Sequence, residues 1–545
     1  MSDFPPAALA SLPPEIIEQI FSLLPRTTLC HLRLLHRRLG FIATAIAFRT
    51  LRLQAFGNSP QRFTHIAQSD KLRGFVKDIT CDTWIGPEYE YHKWDRYEIP
   101  LGFFAALPLL RHFRGLKALH LRFSQYCGRE GRVTRLTIEE TGDFRYRVLD
   151  VIFQCLAGTW SAERQQHIDQ LLGLASSFDV SASDIVAAPI SLSALTISNL
   201  GDYHDARLTE SDAFKEVLAS SSLVDLRIYI ATQLSRFGQS RNICYRDKHT
   251  MFESLPATWL SQPVTSNLRV LSLYCYEYWG WLPKLDLRAV GGGAGLPNLK
   301  VLALGKYVFS HEWQVDWFPT LGLEELYLDD CRMLYQSKTD WTPDDRTSVV
   351  GQDANGNDVV ISNEGYLRYD DVWDSESGSN IDGGSNPDSL PEPEEPNEEE
   401  ILGFKMIRLT LRWHTLLSRW RDSMSTLRVF KVGYGAWDEK LKDYPKTTRP
   451  IRPNRLVVDK KATIGEHYLK YNAFRDFDCL SSDQENKKYQ LKYLYDQLYQ
   501  WYEWRDWAGG WTHGDSSDWV LEDGLEAKDE AALELLLSTV NARQR

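Results

Sequence analysis

From Leu12 to Leu53 apolar residues recur with a helical period, and from about residue 70 onward they recur as short L-x-x-L-x-L segments. Pro13 or Pro14 takes the opening turn of a first helix, where a missing N–H is harmless, and Pro25 stops it. Glu15 suits the positive end of that helix dipole. Between the prolines, Ile16, Ile17, Ile20, Phe21, Leu23 and Leu24 lie nearly all the way round, more than one local core can use. Thr27 or Thr28 is placed to cap a second helix with Leu29, Leu32 and Leu35. A third runs through Leu39, Ile42, Ala43, Ile46 and Phe48 before Leu51–Leu53 turns extended. Three such helices seldom enclose enough core to stand alone, so a protein partner is expected to cover the excess.

The second texture comprises LKALHL at Leu116, LSALTI at Leu192, LVDLRI at Leu223, LRVLSL at Leu268, LKVLAL at Leu299, LEELYL at Leu323 and, more loosely, LRVFKV at Leu427. In each, the first leucine comes from a turn and the next two, spaced by two, point to one side of a strand. Each unit can bury that side only against a neighbour, so the segments stack into a solenoid. Their spacing is irregular against the about 20–29 residues of a regular leucine-rich repeat, which makes these repeats degenerate. Helices fill the gaps, one through Phe214, Val217 and Leu218 and another through Leu416, Leu417 and Trp420. The fold class is α/β: an N-terminal three-helix unit, then an irregular solenoid with a curved sheet of short parallel strands and helices outside. On its concave face Lys117 or His120, Ser272, Ala303 and Tyr327 are expected at the display positions.

Residues 341–404 interrupt the array, and from Tyr369 to Phe404 no Lys or Arg occurs while PEPEEPNEEE and a Gly/Ser/Asn stretch do. Such a composition cannot offset its ordering entropy, and a disordered acidic insertion is expected there. The domain reading is a tail at 1–10, the helical unit at 11–53, the solenoid at 54–340, the insertion at 341–404, the last repeat or repeats at 405–460, and an aromatic-rich capping region at 461–545. In the last region Leu533, Leu536, Leu537 and Val540 share one helical stripe, suited to closing an open solenoid end. Trp501, Trp504, Trp507 and Trp511 recur at helical spacing, for core packing or for a peptide or ligand groove.

The 545 residues carry a formal net charge of -12, which argues against a general polyanion binder but leaves room for a local basic patch. The eight cysteines (Cys30, Cys81, Cys127, Cys155, Cys244, Cys275, Cys331, Cys479) form no C-x-x-C pair and read as free thiols of a reducing compartment. With no long apolar run, no signal-peptide pattern and no N-x-[ST] sequon, the chain is expected in the cytoplasm or nucleus.

Little in the chain matches a known catalytic or ligand-binding pattern. VGGGAGLP at Val290 lacks the Lys-Ser/Thr of a phosphate loop and leads into a strand, so it reads as a turn. DANGND at Asp353 lacks calcium-loop spacing, GDSSD at Gly514 is not a nucleophile elbow, and the histidines show no H-E-x-x-H. No catalytic, cofactor or metal site is expected.

LPPEIIEQIFSLLP followed by TTLCHLRLLHRRLGFIATAIAFRTLRL resembles the F-box, specifically its fungal form. The family's leading Leu-Pro is matched by Leu12-Pro13, its acidic-aliphatic pair by Glu15-Ile16, its I-x-x-x-I spacing by Ile16 and Ile20, and its L-x-x-L-R run by Leu29 to Arg33. The third helix offers Phe41 where a tryptophan is common, and His36 stands where a small residue or Cys is usual. The resemblance implies a non-catalytic substrate receptor of a Skp–cullin–F-box ubiquitin ligase, with a Skp-type adaptor and through it a cullin as partners. It also implies a protein target held by the repeats. Leu12, Pro13, Ile16, Ile20, Leu23, Leu24, Leu29, Leu32 and Leu35 would then divide between local core and adaptor. The alternative is an interaction scaffold with no ligase role, in which the helices pack wholly onto the first repeats.

Overall fold

The computed structural model describes residues 9–83, 100–123, 127–128, 140–171, 188–233, 246–329, 331–339, 342–352, 355–368, 405–433, 492–498 and 522–544. Three helices, α1 (Pro14–Ser22), α2 (Arg26–Leu32) and α3 (Arg37–Ala47), precede a parallel ladder. Its rungs are β1 (Thr50–Gln54), β2 (Asp78–Asp82), β3 (Ala118–Arg122), β6 (Ala194–Gly201), β7 (Asp225–Ala231), β8 (Val270–Trp279), β9 (Val301–Phe309), β10 (Glu325–Asp329) and β15 (Val429–Gly433). Between β3 and β6, β4 (Cys127–Gly128) pairs with β5 (Glu140–Thr141). Mixed α/β architecture with a large parallel sheet of short strands is what the leucine pattern predicted. The helical connections include α4 (Ser59–Gln68), α5 (Gly142–Ala157), α6 (Asp212–Leu218), α7 (Arg246–Ser254), α8 (Trp313–Thr320) and α9 (Trp413–Ser423).

One register runs the length of the ladder. Leu51, Ile79, Leu119, Leu195, Leu226, Leu271, Leu302, Leu326 and Phe430 stand side by side, as do Leu53, Cys81, Leu121, Ile197, Ile228, Leu273, Leu304, Leu328 and Val432. All are buried in one core with the helical apolar faces, because alternate strand residues share a side and each pair is covered only by its neighbours. Two rungs lie outside the L-x-x-L-x-L set. β1, read from sequence as the end of the helical unit, is the first rung, and β2 carries Ile79 and Cys81 in the leucine places. Bulky aromatics also serve this core: Trp259, Trp279, Trp413 and Trp420 are fully buried.

The insertion read as disordered from 341 begins with structure. β12 (Thr347–Gln352) and β13 (Asp358–Ser362) form an antiparallel hairpin, preceded by β11 (Arg332–Thr339), which pairs with the end of β9. β14 (Lys405–Arg408) adds to β11 antiparallel and β16 (Lys492–Leu498) adds parallel. The hairpin forms because it has a seat. The glycine run of VGGGAGLP brings its backbone against β12, and a Cβ on Gly351 would collide with Gly292. Polar clamps complete the contact: Lys284 Nζ donates to Asn363 at 2.7 Å, Arg288 to the Ser362 carbonyl at 2.8 Å, and Trp281 to the Gly365 carbonyl at 3.0 Å. The acidic stretch 369–404 and Trp501, Trp504, Trp507 and Trp511 lie outside the described residues.

At the far end, α10 (Leu525–Arg543) lies on α9 and β15, burying Leu525, Ala532, Leu533, Leu536 and Val540, while Leu537 is only partly covered. It also secures both ends of α9. The buried Asp529 carboxylate accepts from the His414 N–H at 2.8 Å, and Arg543 donates to the Met424 and Arg421 carbonyls at 2.7 and 3.0 Å.

Beneath the hairpin the His311 ring lies 4.0 Å from that of Tyr366, its Nδ1 facing Ser310 Oγ at 2.7 Å. Burial pushes its imidazole down to about 4, with Asp286 opposing and Arg288 and Lys284 assisting. Because the unfolded histidine takes up its proton first, this site contributes fully above pH 6.5 and its contribution is lost as pH falls toward 4. Unfolding free energies from urea titrations between pH 7 and 4 should therefore fall more steeply for wild type than for His311→Gln, by on the order of 3 kcal/mol across that window. Parallel pH profiles would refute it.

Candidate functional site

The three N-terminal helices enclose a small core of their own, made by Ile17, Phe21, Leu29, Leu39, Ile42, Ala43 and Ala47. Proline sets its geometry: Pro13 and Pro25 precede α1 and α2 with extended backbone, and Pro14 occupies the first helical turn. α2 starts at Arg26, so Thr27 and Thr28 lie inside it and Leu35 falls beyond its end, contrary to the capping expected from sequence. His36 supplies the cap that the sequence reading missed, its Nδ1 accepting from the Arg38 N–H at 3.2 Å at the start of α3. Gly40 allows the close approach that follows, since a Cβ there would stand 2.7 Å from the Arg33 carbonyl oxygen.

The surplus of α1 resolves into two stripes. Ile17 and Phe21, one turn apart, are 0% exposed, whereas Ile16, Ile20 and Leu23 continue along another side at 41%, 37% and 84%. The turn between α2 and α3 adds Leu34 at 85% and Leu35 at 72%. Pro13 is also exposed, while Leu12, Leu24 and Leu32 are half-buried against the local core. Of the nine residues expected to divide between local core and adaptor, Leu29 falls to the core: it is 4% exposed and clusters with Ile17, Phe21 and Leu39. Single exposed leucines are ordinary, but several on one small unit mark a surface built for contact.

The sheet face is a poorer candidate than its display positions suggested. His120, Ser272 and Ala303 are buried, and Tyr327 is half-buried with its hydroxyl on Glu325 at 2.6 Å. Polar residues there are spent on one another: Arg227 pairs bidentately with Asp225, and His120 faces Asp78 at 3.3 Å. Neighbouring rungs are only about 4.8 Å apart, so large side chains close over small ones, as Tyr274 does over Gly305. Lys117 alone of the five is exposed, and it lies just before β3.

Buried charge collects near the C-terminal ends of the strands. Arg52 contacts Asp82 at 2.5 Å, with Arg122 3.7 Å from the same carboxylate, and Arg145 donates to Glu140 at 3.0 Å. Lys248 stands 3.4 Å from Asp202, whose carboxyl burial raises while that ammonium and the Gln233 N–H oppose the rise. Each carboxylate has a cationic partner, which is a structural pairing and not a poised acid and base. The buried Cys127 thiol is pushed up to about 11 and those of Cys155 and Cys275 to about 12, burial being the largest cause in each, so these thiols are not activated nucleophiles. Among the described residues no group of three metal-ligating side chains converges.

The model of the family described as F-box domain matches residues 9–49, the segment that carries both the local core and the outward stripe. Residues 9–49 are an F-box domain, a kind of module that binds Skp-type adaptors of cullin–RING ligases. No curated protein matches the chain.

The two stripes should separate on substitution. Phe21→Ala should destabilise the helical unit by about 3–5 kcal/mol and Leu23→Ala by less than about 0.5 kcal/mol. Hydrogen exchange of the α1 to α3 amides would read the difference; similar protection in both variants would contradict the division.

Proposed function

We propose that this chain is a non-catalytic substrate-recognition subunit of a Skp–cullin–F-box ubiquitin ligase, with its degenerate leucine-rich-repeat-like solenoid selecting a protein target. The observation that carries this reading is the outward stripe of α1. Among the described residues Ile16, Ile20 and Leu23 belong to no hydrophobic cluster, while the opposite side of the same helix is filled, inside a segment with an F-box match. These three, with Pro13, Leu35 and the half-buried Leu12, Leu24 and Leu32, form the adaptor-facing surface in this reading; Leu29 supports it from within. Covering apolar surface at about 25 cal/mol per Å2 makes such a patch an effective handle once shape fits.

A scaffold with no ligase role would use the helices as a solenoid cap and bury both stripes. The exposure of Leu23, Leu34 and Leu35 speaks against it. Free buried thiols fit a reducing compartment, cytoplasm or nucleus, in the same reading.

Co-expression with a Skp-type adaptor tests the docking. An Ile16→Asp, Leu23→Asp double variant should co-purify at least about tenfold less adaptor than wild type, since each aspartate places a charge where an apolar contact is required. Its thermal midpoint should stay within about 2 °C of wild type because both positions face solvent. Equal adaptor yields would sink the proposal.

A further inference from the structure

We propose that the rim formed where the chain enters the first three strands of the ladder binds an acidic peptide segment of a protein partner. The residue just before the strand is Arg49, Lys77, Lys117, Arg269, Lys300 or Arg428 at six of the nine rungs. These positions are equivalent by hydrogen bonding as well as by sequence. The Lys77 N–H donates to the Arg49 carbonyl at 2.8 Å and that of Lys117 to the Lys77 carbonyl at 2.8 Å, a relation that continues through Ser193, Val224, Arg269, Lys300, Glu324 and Arg428. Arg49, Lys77 and Lys117 therefore occupy adjacent rungs, with a spacing of about 4.8 Å.

Like charges on adjacent strands repel, so the register that aligns the leucines also imposes an unfavourable arrangement here. It is not relieved locally. Among the described residues no ion pair is found for Arg49, Lys77, Lys117 or the nearby Arg114, whereas Lys300 farther along the rim reaches Glu324 at 3.4 Å. Asp78, next in sequence to Lys77, faces His120 at 3.3 Å. Arg49, Arg114 and Lys117 are exposed and Lys77 is half-buried. The Lys77 ammonium lies against the backbone of Gly115, where a Cβ would come within 2.5 Å of Nζ, and Gly115 is flanked by Arg114 and followed two residues later by Lys117. Four cations thus line three adjacent rungs and the turn before β3, on a chain whose net charge is -12.

The length of the track selects the occupant. Ser193 and Val224 take the next two places, so the positive run ends after the third rung, and a long polyanion would gain little beyond it. An extended peptide sets same-side carboxylates about 7 Å apart, within the reach of Lys and Arg side chains on these rungs. A short acidic segment matches this spacing, charge and extent. None of these four residues belongs to the apolar stripe of α1, although Arg49 is the last residue of the F-box match, and the assignment does not depend on adaptor docking.

A fluorescein-labelled deca-glutamate peptide, titrated against the full chain and read by anisotropy, tests the assignment. Binding is expected at about 50 mM salt, weakening at least about tenfold at 300 mM as screening requires. Arg49→Glu, Lys117→Glu should weaken it at least about tenfold, Arg49→Gln, Lys117→Gln should act in the same direction by a smaller factor, and Arg269→Glu, Arg428→Glu should stay within about twofold. The neutral pair guards against a folding defect in the reversed one, and adaptor capture should be unchanged in all three. Absence of binding at low salt, equal loss from both ends of the rim, or a single-stranded oligonucleotide that outcompetes the peptide on the same residues would overturn the proposal.

Discussion

The structure depends on one constraint, the constant register of a parallel ladder. Because strand side chains alternate, a slip of one residue between any two rungs would turn the pair Leu226 and Ile228, or its equivalent, from the core to the opposite face. Each rung is covered only by its neighbours and the helices that join them, so no rung is stable alone and the stack must be closed at both ends. β1 and β15 are those ends. α10 covers the second of them and ties down both termini of α9, which explains why a helix so distant in sequence belongs to the same core.

The first end adjoins the F-box. α3 stops at Ala47 and β1 begins at Thr50, leaving two residues between the helical unit and the first rung. Phe48, one of these two, packs against both the small helical core and the large one, while the guanidinium of Arg33 lies 4.8 Å from its ring centroid. Phe41 meets Phe75 edge-on at 5.5 Å, a second contact between the helices and the first connection of the ladder. The outward stripe of α1 is thus held in a fixed relation to the strands. An adaptor docked there would orient the whole sheet and not a tethered module.

How much of this was legible follows from where the residues make their contacts. The seven leucine segments were readable because their burial is dictated by period alone, and all seven are rungs. β2 escaped because Ile79 and Cys81 take the leucine places without matching the letter pattern, and Leu51–Leu53, read as extended, was assigned to the helical unit because it follows the third helix so closely. The hairpin escaped for a different reason. Its strands are stabilised by a seat made of Gly291 to Gly293 and by Lys284 and Arg288, all more than fifty residues away, so its own composition gave no sign of order. The excess apolar content of α1 was plain, but assigning Ile17 and Phe21 inward required the positions of Leu29, Leu39 and Ile42. Polar side chains on the sheet face were misjudged because alternation predicts direction and says nothing about whether neighbours such as Asp225 and Arg227 will satisfy each other.

The buried charges also constrain the register. An ion pair taken out of water gains little net stability, since desolvation offsets most of the attraction. Arg52, Asp82 and Arg122 nevertheless stand on three successive rungs, at equivalent strand-end positions for the last two, and a slip would separate Asp82 from both cations. An unpaired buried carboxylate is far less favourable than a misplaced leucine, so this trio penalises the wrong register more than it rewards the right one. Apolar ladders supply the drive to stack but are nearly alike from rung to rung and discriminate poorly among pairings. Discrimination among pairings of such similar apolar rungs therefore has to come from polar residues, and Arg52, Asp82 and Arg122 supply it for the first three rungs.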